Sequence, residues 1–455
     1  MLSFEVMITA ENFSTVTLNS HPQGGGIQRI LAAAIQAVEP GAAVRRVVDR
    51  SDDLLRIGKL EVDLKEIDRI LLIGIGKAAP AMTEAMHQIL AERVSDGLIV
   101  TKSIPTDHSL SLPTLAAGHP IPDERSILAG ERIFNLLEGL QVRDLVICLI
   151  SGGGSALVSC PQVGISLADI QTLTAQLLAC GARIDEINTL RRQLDRIKGG
   201  GLAQAATPAQ VVSLILSDVV GDPLEAIASG LTVADPTDRK DALDILDKYQ
   251  LSDKVPTSVM NFLISESNGE QTERNGFDKV HNLIVGNNLL AAQAALSQAR
   301  QEGFNTYLLR TDLQGEAREV AHELCTTLRW AWHRPDPVAR PACIIAGGET
   351  TVTLLGNGRG GRNLELALSA VMDLADFPDV MLVTLATDGE DGVTDGAGAV
   401  VTGASFARAV ALGLRPEEFL KRNDSYTFFS ALGDVLKPGP TGTNVNDLTF
   451  LFTFR

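Results

Sequence analysis

Aromatic residues make up only 4% of this 455-residue chain, so its interior must be filled by aliphatic side chains. No apolar stretch approaches the ~20 residues needed to span a bilayer. Only five cysteines are present, and no two form a Cys-x-x-Cys pair, which leaves no signature of a zinc or dithiol site. Several lie in apolar segments and read as buried thiols in a reducing compartment. The first six residues lack a basic segment followed by an apolar one, so no export signal is expected and a cytoplasmic location is. Positive charge is also scarce. With 39 Lys+Arg against 56 Asp+Glu, the formal net charge is -17. That balance excludes nucleic acid or an anionic membrane as the main partner. An anionic substrate would therefore need a local positive pocket. A Walker loop, G-x-x-x-x-G-K-[ST], is missing as well.

What is present is a regular alternation of strands and helices on a chain long enough for about two to four domains. Apolar runs at 69–74, 97–101, 145–150 and 210–216 read as strands, and 77–94, 124–140, 166–180 and 184–197 as helices between them. A helix at 27–38 precedes them. After a polar surface loop at 266–276, a second series begins with a strand at 280–286. Further strands are expected at 305–309, 342–346, 351–355, 380–387 and 448–454. Continuous rather than alternating apolar runs indicate strands buried on both faces. The expected fold is α/β, with two doubly wound, Rossmann-like domains at 27–270 and 277–455. Ligands in such sheets sit outside the carboxyl ends of the strands.

Chemistry-bearing residues gather at those strand ends. Gly74–Ala79 matches G-x-G-x-x-A after a strand, the fingerprint of dinucleotide binding. The acid that should end the next strand and hold a ribose is replaced by Thr101 and Lys102, which disfavours a nicotinamide cofactor. Lys77 stands at the mouth of this turn, where an ammonium opposes the helix dipole but can bind a carboxylate or a moving phosphoryl group. Ser151, Gly152, Gly153, Gly154 and Ser155 follow a buried strand. Residues without Cβ let successive amides form a concave nest for an anion, although a tight structural turn is the plainer alternative. Asp218 follows another strand and can accept a hydroxyl proton or hold a metal. The run 387–395 supplies carboxylates, Asp388 first, of the kind Mg²⁺ takes beside substrate phosphates. Arg359 and Arg362 flank two glycines as candidate forks for phosphate or carboxylate, with Glu349 placed to orient one of them and Asn363 opening the next helix. Glu186, Asn188, Arg191 and Lys198 share one helical face within a turn, which fits a solvated charged face equally well. His119, between Gly118 and Pro120, reads as structural.

Taken in order, the segments 74–79, 118–123, 151–157, 190–203, 217–222, 347–352, 358–363 and 387–398 resemble the class II glycerate 2-kinases. These carry a glycerate kinase N-terminal domain followed by a MOFRL domain. The resemblance runs from about residue 27 to the end of the chain. It implies ATP-dependent phosphorylation of D-glycerate at its 2-hydroxyl, in a cleft between two α/β domains. It also implies Lys77, Asp218 and Arg359 in catalysis, beside Ser151 to Ser155, Glu349, Arg362 and Asn363, which the strand-end reading offers for binding glycerate or ATP. Asp388 would hold Mg²⁺. The chain would be a monomer or homodimer. An NAD(P)H-dependent hydroxypyruvate reductase leans on Gly74–Ala79 alone, and a non-catalytic ligand binder would leave the acids at the strand ends without a purpose.

Overall fold

The computed structural model describes residues 8–104, 110–265 and 277–454. The expected surface loop at 266–276 lies outside the described residues. Two compact units are present: Pro40–Val285, and Gly286 to the C terminus together with the N-terminal stretch through Glu39.

The first unit opens with a small antiparallel meander, β1 (Val48–Ser51), β2 (Leu54–Ile57) and β3 (Leu60–Asp63). Its main sheet holds β4 (Arg69–Ile75), β5 (Asp96–Thr101), β6 (Thr114–Ala116), β7 (Asp144–Ile150), β8 (Gln210–Leu216) and β9 (Val280–Gly286). The spatial order is β6-β5-β4-β7-β8-β9. Pairs β5–β6, β4–β5, β4–β7 and β7–β8 are all parallel. In chain order this is 3-2-1-4-5-6, the doubly wound order whose direction of travel reverses between the first and fourth strands. All seven residues of β7 are buried, as an uninterrupted Leu-Val-Ile-Cys-Leu-Ile run demands. Aliphatic side chains of both central strands, Ile73, Ile75, Cys148 and Ile150 among them, form the core with helix residues such as Ala129 and Ile133. A separate apolar cluster joins the helices Leu167–Ala179, Ile184–Leu194, Arg239–Lys248 and Thr257–Ile264.

In the second unit the strands are β10 (Asn305–Leu313), β11 (Ala342–Gly348), β12 (Val380–Ala386), β13 (Gly398–Thr402), β14 (Val435–Leu436) and β15 (Asp447–Thr453), ordered β10-β11-β15-β12-β13-β14. The class is α/β as expected, but this sheet is mixed rather than doubly wound. Only β10–β11 is a parallel pair; β15 runs antiparallel to both β11 and β12. The final strand inserts between its neighbours without a crossover helix, which an antiparallel strand does not need. As β11 and β12 point the same way, their carboxyl ends and the start of β15 share one sheet edge.

Two local expectations differ from the structure, and one point the sequence left open, which domain the helix at 27–38 packs on, is answered: it lies in the second unit. That helix, Gly24–Gln36, packs on Asn288–Gln301, where Arg29 pairs with Glu302 at 2.6 Å. Its buried face carries Ile27, Ile30 and Leu31, an amphipathic stripe that names no partner. The strand 280–286 does not open the second sheet but edges the first, and Val211 N–H donates to Lys279 O at 3.0 Å beside it. The stretch 351–355 is no strand. Only Thr351 makes an isolated bridge, to Glu316, and the amides of Leu355 and Gly356 donate instead to Asn423 Oδ1 at 2.7 and 3.0 Å.

Candidate active site

In the first sheet β4 and β7 end side by side, Ile75 opposite Ile150, at the point where the strand order reverses. The turn after each strand is tied to the other. Ser151 N–H donates to Ile75 O at 2.9 Å and Lys77 N–H to Gly152 O at 3.0 Å, while Ala78 N–H donates to Ser151 Oγ at 3.0 Å. Gly76 N–H is taken by Val100 O at 3.0 Å. Thus the amides that would cradle a pyrophosphate in a dinucleotide fold are already spent on internal bonds. Gly76 has φ +132°, and a Cβ there would lie 2.2 Å from Ser151 Oγ, so only glycine fits between the turns.

The second turn is different. The amides of Gly152, Gly153, Gly154 and Ser155 meet no acceptor among the described residues. Three side chains from separate loops press on this turn. A Cβ on Gly152 would come within 1.9 Å of Asp218 Oδ2; one on Gly153 would lie 3.1 Å from His119 Cδ2 and 3.4 Å from Lys77 Cγ. Lys77, His119 and Asp218 therefore converge on one patch of backbone, although they stand far apart in sequence. Burial lowers the His119 pKa to about 4, helped by the charges of Lys77 and Lys102. The imidazole is neutral near pH 7.

Ser155 extends the cluster. Its hydroxyl lies 2.8 Å from Ser229 Oγ, and Ser229 Oγ donates to Asn188 Oδ1 at 3.2 Å. Ser229 and its neighbour Ala228 have φ +58° and +50°, left-handed values that side chains with a Cβ adopt at a cost of order 1–3 kcal/mol each. Of the helical face read from the sequence, Asn188 and Arg191 turn toward this network. Glu186 does not: it bonds Lys248 Nζ at 2.6 Å and Tyr249 OH at 2.7 Å. Lys198 is buried in a pair with Asp195 at 2.6 Å.

A second constellation occupies the strand-end edge of the second sheet. Arg362 reaches Glu349 Oε1 and Asp447 Oδ2, both at 2.5 Å. Burial would lower its pKa, yet Asp447 and Glu349 raise it. Asp391 accepts from the amides of Asn363 at 3.2 Å and Leu364 at 2.8 Å, capping the helix Arg362–Asp373. Burial pushes Asp391 up to about 7 and Asp447 to about 6. Glu349, Arg362 and Asn363 thus meet, but the fork of Arg362 is committed to two carboxylates. Arg359 is separate and exposed, its guanidinium 4.6 Å from the centre of the Tyr426 ring. Asp388 is partly exposed just beyond β12, with Oδ1 accepting from Glu390 N–H at 3.2 Å.

Sequence reasoning read His119 as structural and did not single out Asp391 as a cap, Tyr426 or Asp447. An acid heading the mostly apolar stretch 448–454 was the available signal for Asp447. A histidine between glycine and proline carried none for His119, because its importance comes only from the glycine turn it touches.

The chain matches the family model described as a domain of unknown function, DUF4147, over residues 26–264 and the MOFRL family model over residues 342–447. It is 40% identical over 423 residues to a glycerate 2-kinase of Pyrococcus horikoshii, covering 92% of this chain and 95% of that one. A D-glycerate 2-kinase of Thermotoga maritima is 39% identical over 420 residues, with the same 92% and 95% coverage. A protein of Agrobacterium vitis named as a putative hydroxypyruvate reductase is 39% identical over 424 residues, covering 93% of this chain and 92% of that one. Among solved structures, the crystal structure of a glycerate kinase from Thermotoga maritima superposes with a TM-score of 0.82 at 38% identity, covering 93% of this chain and 97% of that one.

Proposed function

Because the chain belongs to the glycerate kinase family with a MOFRL domain, we propose that it transfers the γ-phosphoryl group of ATP to the 2-hydroxyl of D-glycerate. The products are 2-phosphoglycerate and ADP. One observation in the structure carries the reading: Lys77 and Asp218 press on the same glycine turn, whose amides are open.

Phosphoryl transfer asks a protein mainly for positioning and charge stabilisation. The hydroxyl oxygen of glycerate forms a bond to the γ-phosphorus as the bond from that phosphorus to the β,γ-bridging oxygen breaks, and the electron pair leaves with ADP. Asp218 accepts the hydroxyl proton. Lys77 offsets the negative charge on the moving group, and the amides of Gly152 to Ser155 receive anionic oxygens. His119, uncharged, adds a hydrogen-bonding edge without competing for the phosphate as a cation. Arg359, exposed with its guanidinium against the Tyr426 ring, is assigned to the phosphoryl group. Asp388 is assigned to Mg²⁺. Mg²⁺ that arrives with nucleotide phosphates takes one or two carboxylates from the protein, and Asp388 would be one. Such an ion would neutralise phosphate charge.

The reductase reading draws on the name of the Agrobacterium relative and on the strand order of the first sheet. Against it stand the spent amides of the Gly74–Ala79 turn and the absence of an acid at Thr101-Lys102. The deciding experiment is phosphorus NMR of the product formed from D-glycerate, ATP and Mg²⁺. A 2-phosphoglycerate signal is expected; 3-phosphoglycerate would overturn the regiochemistry. No phosphorylated product, together with NADH oxidation by hydroxypyruvate, would overturn the kinase.

A further inference from the structure

Two consecutive arginines on the helix Ile184–Leu194 are treated very differently by the fold. Arg192 is buried and fully engaged: its Nε donates to Asp235 at 2.7 Å, and its terminal nitrogens reach Thr189, Thr237 and the carbonyl of Glu225 at 3.1 to 3.3 Å. Arg191 is mostly buried as well, yet its hydrogen bonding among the described residues is one long contact, Nη1 to Asn188 Oδ1 at 3.4 Å. No carboxylate pairs with it there. Burial lowers its pKa and no acid raises it. Its charge helps lower the pKa of Lys198, whose own partner, Asp195, is already used.

A guanidinium has five N–H donors and stays charged. Taking one out of water without a counter-charge is expensive, so the fold retains Arg191 against its own stability. The position of the group indicates what supplies the missing charge. Asn188 Oδ1, which receives Arg191, also receives Ser229 Oγ at 3.2 Å. The single proton of Ser229 is spent there, so in the 2.8 Å contact between Ser155 and Ser229 the donor is Ser155. The donors Ser229 and Arg191 therefore converge on Asn188 Oδ1, which links the open glycine turn, through Ser155, to the guanidinium; the arrangement depends on the left-handed backbone of Ala228 and Ser229.

We propose that Arg191 is the specificity-determining residue for the acid substrate: its guanidinium binds the substrate carboxylate, held in orientation by Asn188 and Ser229. The assignment rests on the reading of the protein as a kinase of a hydroxy acid. A planar fork matches a carboxylate bidentately, and the carboxylate is the part of glycerate that does not react. Its loss should therefore raise KM for glycerate more than it lowers kcat.

The test is Arg191→Met, which keeps bulk and removes the unpaired charge. Its melting temperature should equal or exceed that of the wild type. KM for D-glycerate should rise about 10²-fold, while KM for ATP stays within about twofold. In thermal-shift measurements without ATP, D-glycerate should stabilise the wild type but not the variant, and glycerol, which lacks the carboxylate, should stabilise neither. Should Arg191→Met fail to fold, Arg191→Lys keeps the charge without the fork and should raise KM for D-glycerate about 10-fold. Wild-type KM in the soluble variant, or a rise confined to ATP, overturns the assignment; the latter would place the guanidinium on nucleotide phosphates. A wild type that makes no phosphoglycerate would fail the kinase reading alone, and carboxylate-dependent stabilisation lost in Arg191→Met would still uphold the Arg191 site.

Discussion

The first sheet carries two glycine-rich turns side by side, and they have opposite uses. The turn after β4 has the sequence of a phosphate cradle but is closed: Gly76, Lys77 and Ala78 donate their amides to Val100, Gly152 and Ser151. The turn after β7 matches no standard nucleotide motif and is open, with Lys77, His119 and Asp218 around it. The first turn braces the second. Its contribution to chemistry is the side chain of Lys77, not its backbone. A glycine motif is therefore informative only once the destination of its N–H groups is known.

If this division holds, changes around the open turn should damage turnover and spare the fold, and changes in the closed turn should do the reverse. The largest effects are expected from the converging side chains. Asp218→Asn should lower kcat by about 10³-fold, within the range for a general base. Lys77→Ala should lower kcat/KM by at least ~10², about 2.7 kcal/mol in barrier. Both should melt near the wild-type temperature. A folded Lys77→Ala protein with near-wild-type turnover would break the comparison at its centre.

The paired substitutions Gly152→Ala and Gly76→Ala come next. In the former, the new Cβ meets the tip of the Asp218 carboxylate rather than backbone, so kcat should drop more than stability. In the latter it meets the Ser151 carbonyl oxygen at 2.5 Å from a backbone at φ +132°, and the cost should be about 2–4 kcal/mol of stability. Chemical denaturation and steady-state kinetics on the same two proteins would separate these outcomes; equal losses in both measurements would reject the division of labour.

The smallest expected effect is a pH slope. His119 has a folded pKa of about 4 against 6.5 in the unfolded chain. Between those values the unfolded state binds more protons, so this residue's contribution to stability is present above pH 6.5 and is lost as pH falls toward 4. His119→Gln should flatten stability over that window. An unchanged slope would mean that the imidazole is better solvated beside the turn than its packing on Gly153 indicates.

Periodicity and strand-end glycines were enough to read most of the first sheet, because a strand buried on both faces needs an unbroken apolar run, as Leu145 to Ile150 shows. They misread 351–355, whose β-branched residues had no neighbouring strand to pair with. They also could not assign the helix Gly24–Gln36 to a unit, since its apolar stripe fits any apolar surface. Lys77, Asp218 and the glycine turn were legible as separate candidates. His119, Asp447 and the unpaired state of Arg191 were not, because each is defined by what lies across space from it.

By itself, the sequence determined the α/β class, the positions of the strand ends and the kinds of chemical group placed there, all of which follow from local apolar patterning and residue type. Only the tertiary structure decided which glycine turn keeps its amides open, which arginines are neutralised, and that the last strand enters its sheet antiparallel. Hydrogen-bond and charge satisfaction are settled between residues tens to hundreds of positions apart, and no local pattern records them.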